Sequence, residues 1–212
     1  LVDESESYRL AIKKTAEHFL QQDVSFDEID AIKQRGGFNN DWDCTVELLM
    51  KNDKFVPRDE VIAVFQQFYL GSNFDGLIAN ETWLPEGDLL DKLSQHYKLG
   101  VVTGRPRVEA EYVLKKHDPM NRIEVLIAME DMGAKQKPHA FGLERIKEML
   151  QVKRCIYLGD TVDDMTAAAK AGCKAIGVLA PQYKSNKHVE QLLFEKGAKH
   201  VLKSINQLPE VL

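Results

Sequence analysis

With 212 residues, 44% of them hydrophobic and 29% charged, the chain can bury a sizeable core as one large domain or two smaller ones, and its composition is that of a globular protein. A net charge of −5 argues against a dominant phosphate-backbone surface, so no nucleic-acid partner is expected and only a small basic pocket is left open. No apolar run approaches membrane-spanning length and nothing near Leu1 resembles a signal peptide, so no membrane partner is expected and a cytoplasmic location fits.

The first third reads as helix after helix. Tyr8, Ile12, Ala16 and Phe19 recur at helical spacing and predict an amphipathic helix over residues 7–21. Ser25 with Glu28 is a capping-box pair that opens a short helix through Lys33. The run Gly36-Gly37-Phe38-Asn39-Asn40 breaks it, and a further helix is predicted over 43–51. Pro57 suits a first helical turn, Val61, Val64, Phe65 and Phe68 form an apolar face, and Gly71 closes that helix. No strand is predicted in this third.

From about Leu84 the pattern changes. Short apolar runs at 99–102, 123–127, 155–158 and 175–178 alternate with helical patterns at 108–116, 140–150 and 165–171. Strand and helix in alternation predict a parallel sheet covered on both faces. A last strand is expected near 199–202, with Ser204 capping a final short helix, and the loop 79–87 is the expected boundary between two modules. Cys44, Cys155 and Cys173 show neither a CxxC pair nor zinc spacing. Cys155 and Cys173 lie in strand-like runs, where a cysteine is usually a small buried hydrophobe.

In open parallel sheets chemistry gathers outside the carboxyl ends of the strands, and three such ends carry polar groups here. The run Ile156-Tyr157-Leu158-Gly159-Asp160-Thr161-Val162-Asp163-Asp164 places three carboxylates within five positions, where a strand gives way to a helix. Carboxylates so crowded repel one another unless a cation lies between them, and Mg²⁺, held by one or two carboxylates with waters and substrate phosphate, supplies it. The alternative is that Asp160 caps the helix while Asp163 and Asp164 favour its positive end. At Val102-Thr103-Gly104-Arg105-Pro106 a hydroxyl and a backbone N–H can hold one phosphate oxygen, or can simply start a helix. Lys137, before Pro138, stands where a helix dipole disfavours a cation. An anionic ligand accounts for it, or else it is a solvated lysine of the basic stretch 135–139.

Thr103 after an apolar strand, Lys137-Pro138 before a helix, and Gly159-Asp160-Thr161-Val162-Asp163-Asp164, in this order and spacing, resemble the second, third and fourth motifs of the haloacid dehalogenase superfamily. Ala171-Gly172-Cys173-Lys174-Ala175 fits the same pattern, and the helical first third resembles the cap that subfamily I members insert between their first and second motifs. The resemblance covers essentially the whole chain. It implies a Rossmann-like α/β parallel-sheet core, residues 84–212 with 1–4, and a helical cap domain, residues 5–80. It also implies a Mg²⁺-dependent phosphatase of a small phosphorylated metabolite, in which an aspartate attacks phosphorus and the aspartyl-phosphate is then hydrolysed. Thr103 and Gly104 would bind the transferring phosphoryl group, Lys137 would pair with it and with the nucleophile, and Asp160, Asp164 and Asp163 would supply metal ligands.

The family's first motif, Asp-x-Asp-Gly at the end of the central first strand, is not found in these residues. Asp3, in Leu1-Val2-Asp3-Glu4-Ser5, has no predicted strand ahead of it and no second aspartate at the required spacing. The resemblance therefore implies a parent polypeptide with about ten further residues before Leu1, one strand of usual length plus the motif. The nucleophile, the acid/base aspartate and the central strand are then expected to be missing from this chain, with a slot beside the strand at 155–158. Arg35, Asn39, Asn40 and Trp42 are candidate substrate contacts from the cap, and Arg105 from the core. The alternatives are an interhelical turn with Trp42 in the cap's own interior, and Arg105 as a surface residue. A phosphomutase of the same superfamily, or an inactive binding or regulatory domain, are the competing readings; a dehalogenase lacks the metal site that Asp160 and Asp164 suggest. Relatives of this subtype sit beside or are fused to a histidine-biosynthesis dehydratase, which makes histidinol phosphate a substrate guess. Either a monomer or a homodimer is expected.

Overall fold

The computed structural model describes residues 1–38 and 40–212. Asn39, one of the candidate substrate contacts, lies outside the described residues. The chain divides into two compact units: Val2–Thr82, and Trp83–Leu212 together with Leu1.

The first unit is built on four helices, α1 (Tyr8–Leu20), α2 (Phe26–Lys33), α3 (Asp41–Lys51) and α4 (Arg58–Tyr69). The capping box at α2 forms as its residue spacing predicts: the Ser25 hydroxyl accepts from the Glu28 N–H at 3.3 Å, and the Glu28 carboxylate accepts from the Ser25 N–H at 2.8 Å. Replacing Ser25 by Ala should cost about 1 kcal/mol, read as a lower urea midpoint, while Ser25→Asp should keep most of it. Helix α3 starts two residues earlier than its apolar pattern suggests, because Asn40 Oδ1 accepts from the N–H groups of Trp42 and Asp43 at 3.0 and 3.2 Å. On α4 the buried stripe is Val61, Phe65 and Tyr69, with Val64 and Phe68 only half-buried. Tyr69 takes the core position because its ring stacks on Tyr8 at 4.1 Å while its hydroxyl donates to buried Glu81 at 3.0 Å. A short strand, β1 (Val2–Asp3), precedes the helices, contrary to the all-helical expectation, and a second, β2 (Thr82–Trp83), falls at the boundary of the two units, where a loop is predicted. Two residues are too few to show an alternating pattern.

The second unit carries five parallel strands, β3 (Leu99–Val102), β4 (Ile123–Ile127), β5 (Ile156–Gly159), β6 (Lys174–Val178) and β7 (His200–Leu202). They pair in two ladders, β3–β4 and β5–β6–β7. Among the described residues no ladder joins β3 to β5, so each has one edge without a strand neighbour. Adjacent residues of β6 face opposite ways, as a strand requires. Ala175 joins an apolar cluster with Met165, Ala168 and Leu193, and Ile176 joins another with Leu89, Leu93 and Leu202. The sheet is thus covered on both faces. The helices of this unit are α5 (Leu89–Ser94), α6 (Arg107–His117), α7 (Met129–Met132), α8 (Phe141–Met149), α9 (Val162–Lys170) and α10 (Lys187–Glu195). Helices α5, α7 and α10 fall where no element is predicted; α5 and α7 are too short to display a helical period. No helix among the described residues is long and apolar enough to cross a membrane.

Candidate active site

The strand–helix junction after β5 is organised by Thr161 and Asp164. Helix α9 starts at Val162, three residues ahead of the pattern-based expectation, because Thr161 is its N-cap: the hydroxyl accepts from the Asp164 N–H at 3.1 Å and donates to Asp164 Oδ2 at 2.8 Å. The N–H groups of Asp160 and Thr161 donate to the same Oδ2 at 3.2 and 3.1 Å. The cap is therefore Thr161, not Asp160. The other oxygen, Oδ1, accepts from Lys137 Nζ at 2.6 Å and from the Tyr157 hydroxyl at 3.0 Å.

Lys137 and Asp164 form a buried ion pair, with side chains 9% and 3% exposed. Burial alone would raise the Asp164 carboxyl, but the Lys137 ammonium and the surrounding hydroxyls outweigh it and hold the group below the usual carboxylate range. Burial alone would lower the lysine, yet the facing carboxylate holds it above its ordinary value. Both are charged at neutral pH. Lys137 precedes a cis peptide bond to Pro138 and sits in a turn four residues ahead of α8, not at the helix start itself. His139, which follows, is exposed and accepts the Phe141 N–H at its Nδ1.

Tyr157 was not among the predicted site residues. Its hydroxyl lies 3.2 Å from Lys137 Nζ and 3.4 Å from the Val102 carbonyl oxygen at the end of β3. Burial, followed by the Asp164 charge, pushes its phenol well above the ordinary value, so it stays a neutral donor. The available signal was the strand alternation, which puts residue 157 on the same face as Gly159, over which Asp164 packs.

At the end of β3, Thr103 extends the ladder by donating its N–H to the Ile127 carbonyl at 2.9 Å. Its hydroxyl oxygen accepts the Arg105 N–H at 3.2 Å, which leaves the hydroxyl proton to donate elsewhere. Gly104 is half-buried beside it. Arg105 is 8% exposed, which rules out the surface alternative, and it precedes α6 without belonging to it.

The three carboxylates do not converge as expected. Among the described residues no group of three or more His, Cys, Asp or Glu is placed to share a metal ion. The cause is the helix: successive positions on α9 are rotated by about 100°, so Asp163 and Asp164 cannot face one point. Asp163 is buried at 5% exposure, Asp164 is engaged on both oxygens, and Asp160 is exposed at the strand end. One exposed carboxylate beside a fixed second one suits Mg²⁺, which binds through one or two carboxylates and takes its other oxygens from water and phosphate. It does not make a self-sufficient cage.

The candidates in the first unit are committed locally. Arg35 pairs with Glu47 at 2.7 Å and lies over the Phe38 ring at 5.1 Å. Asn40 gives its side-chain oxygen to the α3 cap, and the Trp42 ring carries the Arg58 guanidinium 5.7 Å from its centroid. The Trp42 indole nitrogen is buried and, among the described residues, has no hydrogen-bond partner. Asp3 accepts from the Ser5 N–H and hydroxyl at 3.0 and 2.7 Å, a local turn.

The sequence profile of the haloacid dehalogenase-like hydrolases matches residues 1–178. Over 198 residues the chain is 36% identical to a Phytophthora nicotianae protein named imidazoleglycerol-phosphate dehydratase, a match covering 90% of this chain and 44% of that one. It is 25% identical over 132 residues to phosphoglycolate phosphatase of Escherichia coli strain K12, covering 59% of this chain and 51% of the relative. The chain thus spans about half the length of the curated relatives it matches. Among solved structures, a phosphonoacetaldehyde hydrolase-like protein from Oleispira antarctica superimposes with a TM-score of 0.76 at 17% identity, over 99% of this chain and 86% of that one.

Proposed function

The chain belongs to the haloacid dehalogenase-like hydrolases, and on that premise we propose that it provides the phosphate-holding and metal-binding groups of a Mg²⁺-dependent phosphatase for a small phosphorylated metabolite. The observation that carries this reading is the buried Lys137–Asp164 pair, 2.6 Å apart beside exposed Asp160 at the carboxyl ends of the strands. A charged lysine fixed there presents a cation to an incoming dianion, and its buried partner keeps it charged. Thr103 donates its hydroxyl and Gly104 its N–H to the phosphoryl oxygens. Asp160 binds the metal, while Asp164 orients Asp160 by accepting its backbone N–H and holds Lys137 in place. When bound, Mg²⁺ neutralises charge that would otherwise keep an anionic nucleophile from an anionic phosphate. The nucleophile is assigned to a strand outside these 212 residues, pairing with the open edges of β3 and β5. An aspartate there would attack phosphorus, and water would release the phosphate. The likeness to imidazoleglycerol-phosphate dehydratase favours an imidazole-bearing phosphate ester such as histidinol phosphate as the first substrate to assay, with phosphoglycolate as the second.

The test is a phosphate-release assay on the protein carrying the residues encoded upstream of Leu1. Hydrolysis should require Mg²⁺ and fall by about a hundredfold or more in Asp160→Ala. Turnover undiminished by chelator, or by that substitution, would overturn the assignment.

A further inference from the structure

Cys155 and Cys173 each stand one residue ahead of a strand, β5 and β6 respectively. Ile156 faces Lys174 in the parallel register, so the two cysteines face each other one step earlier, and the Lys174 N–H donates to the Cys155 carbonyl at 2.9 Å. Neighbouring strands run about 4.7–4.9 Å apart, inside the roughly 4.4–6.8 Å Cα separation that a disulfide tolerates. Both side chains project to the face that carries Tyr157 and Ala175, and all four belong to one apolar cluster and its margin. The two thiols are close enough to perturb one another's ionisation, Cys155 upward and Cys173 downward. Both thiols are free; Cys155 is half-exposed and Cys173 nearly buried.

A cation stands close by. Lys147 Nζ donates to the Ala171 carbonyl at 2.6 Å, two residues before Cys173. The neighbouring Cys155 thiol, helped by Lys147 and opposed by burial, brings the Cys173 thiol down to about 7. The neighbouring Cys173 thiol, with burial, pushes the Cys155 thiol up. Cys44 is different: burial raises its thiol to about 12, and it is fully buried in the helical unit.

From this geometry we infer that Cys155 and Cys173 form a redox site, converted by peroxide into an intrachain disulfide at the amino-terminal ends of β5 and β6, opposite the carboxylates. The Cys173 thiolate attacks a peroxide oxygen; the O–O bond breaks, giving Cys173 sulfenic acid and hydroxide, which takes up the proton the thiol released and leaves as one water. The Cys155 sulfur then gives up its proton and attacks the sulfenic sulfur. The S–S bond forms as S–O breaks, and hydroxide leaves with that proton as a second water. Two thiols are oxidised by two electrons and one peroxide is reduced. The closed loop contains Tyr157, Asp160 and Asp164 without consuming any of them, so the bond braces the segment that carries them.

The experiment treats the folded chain with hydrogen peroxide, then counts thiols after denaturation and maps peptides without reduction. Two of the three thiols should disappear, one linkage should join Cys155 to Cys173, the melting temperature should rise by a few degrees, and dithiothreitol should reverse all three changes. Cys155→Ser should stop at Cys173 sulfenic acid, captured by dimedone, while Cys44→Ser should leave the linkage unchanged. An undiminished thiol count, linkage through Cys44 or between chains, or sulfenic acid persisting on the unaltered chain would each overturn the inference. The measurements on the unaltered chain decide it even where a variant fails to fold.

Discussion

Lys137→Met should destabilise the protein by about 3–5 kcal/mol at neutral pH, since it leaves the Asp164 carboxylate buried without its cation. The side chain it removes is 9% exposed and makes the 2.6 Å contact to Oδ1. The pH dependence carries the diagnosis. In the unaltered protein the Asp164 carboxyl is held below its ordinary value, so its stabilising contribution is complete above the unfolded value of about 3.9 and fades only as pH falls through the lower folded one. Without Lys137 the balance tips towards burial, the carboxyl rises, and the folded variant takes up a proton more readily than before. The stability gap between the two proteins should therefore narrow as pH is lowered from 7 towards 4. Urea unfolding at several pH values measures this, and a small or pH-independent gap would mean that the pair is not coupled as described.

Gly159→Ala should overpack the junction between β5 and α9. A Cβ at residue 159 would lie 2.3 Å from Asp164 Cβ and 2.5 Å from its Cγ. Neither atom can swing aside, because both sit at the root of a side chain whose oxygens accept five hydrogen bonds. Helix α9 must move off β5, and the contacts to Lys137 and Thr161 go with it. A loss of about 1–3 kcal/mol is expected from overpacking, and on the proposed function Mg²⁺ should also bind more weakly. Isothermal titration and thermal melts separate the two effects. Gly177→Ala is the control: its nearest neighbours are the side-chain ends of Leu193 and Val201 at 3.1 and 3.2 Å, which can yield by small rotations.

Much of the architecture was legible from short-range signals. Strand β5 and its glycine, the Ser25–Glu28 box and the alternation of apolar runs with helical patterns after Leu84 all act through neighbours a few residues apart. Helix boundaries slipped where a cap, rather than apolar spacing, starts the helix. Asn40 moved α3 and Thr161 moved α9, and in each case a side-chain oxygen satisfied N–H groups that an apolar count ignores. For the site, residue type and place in the chain select Thr103, Lys137, Asp160, Asp163 and Asp164 as candidates, but not how the carboxylates are oriented. Asp160 is exposed ahead of α9, and helical rotation turns Asp163 away from Asp164, whose two oxygens are both taken by donors.

The sequence by itself determined which groups stand at the strand ends, because a strand followed by a glycine and a capped helix puts them there through local geometry alone. Only the tertiary structure decided that Lys137 meets Asp164 across 27 positions and that Tyr157 joins them. Those outcomes depend on distances between separate strands, which are set by how helices and sheet pack and leave no periodic trace along the chain.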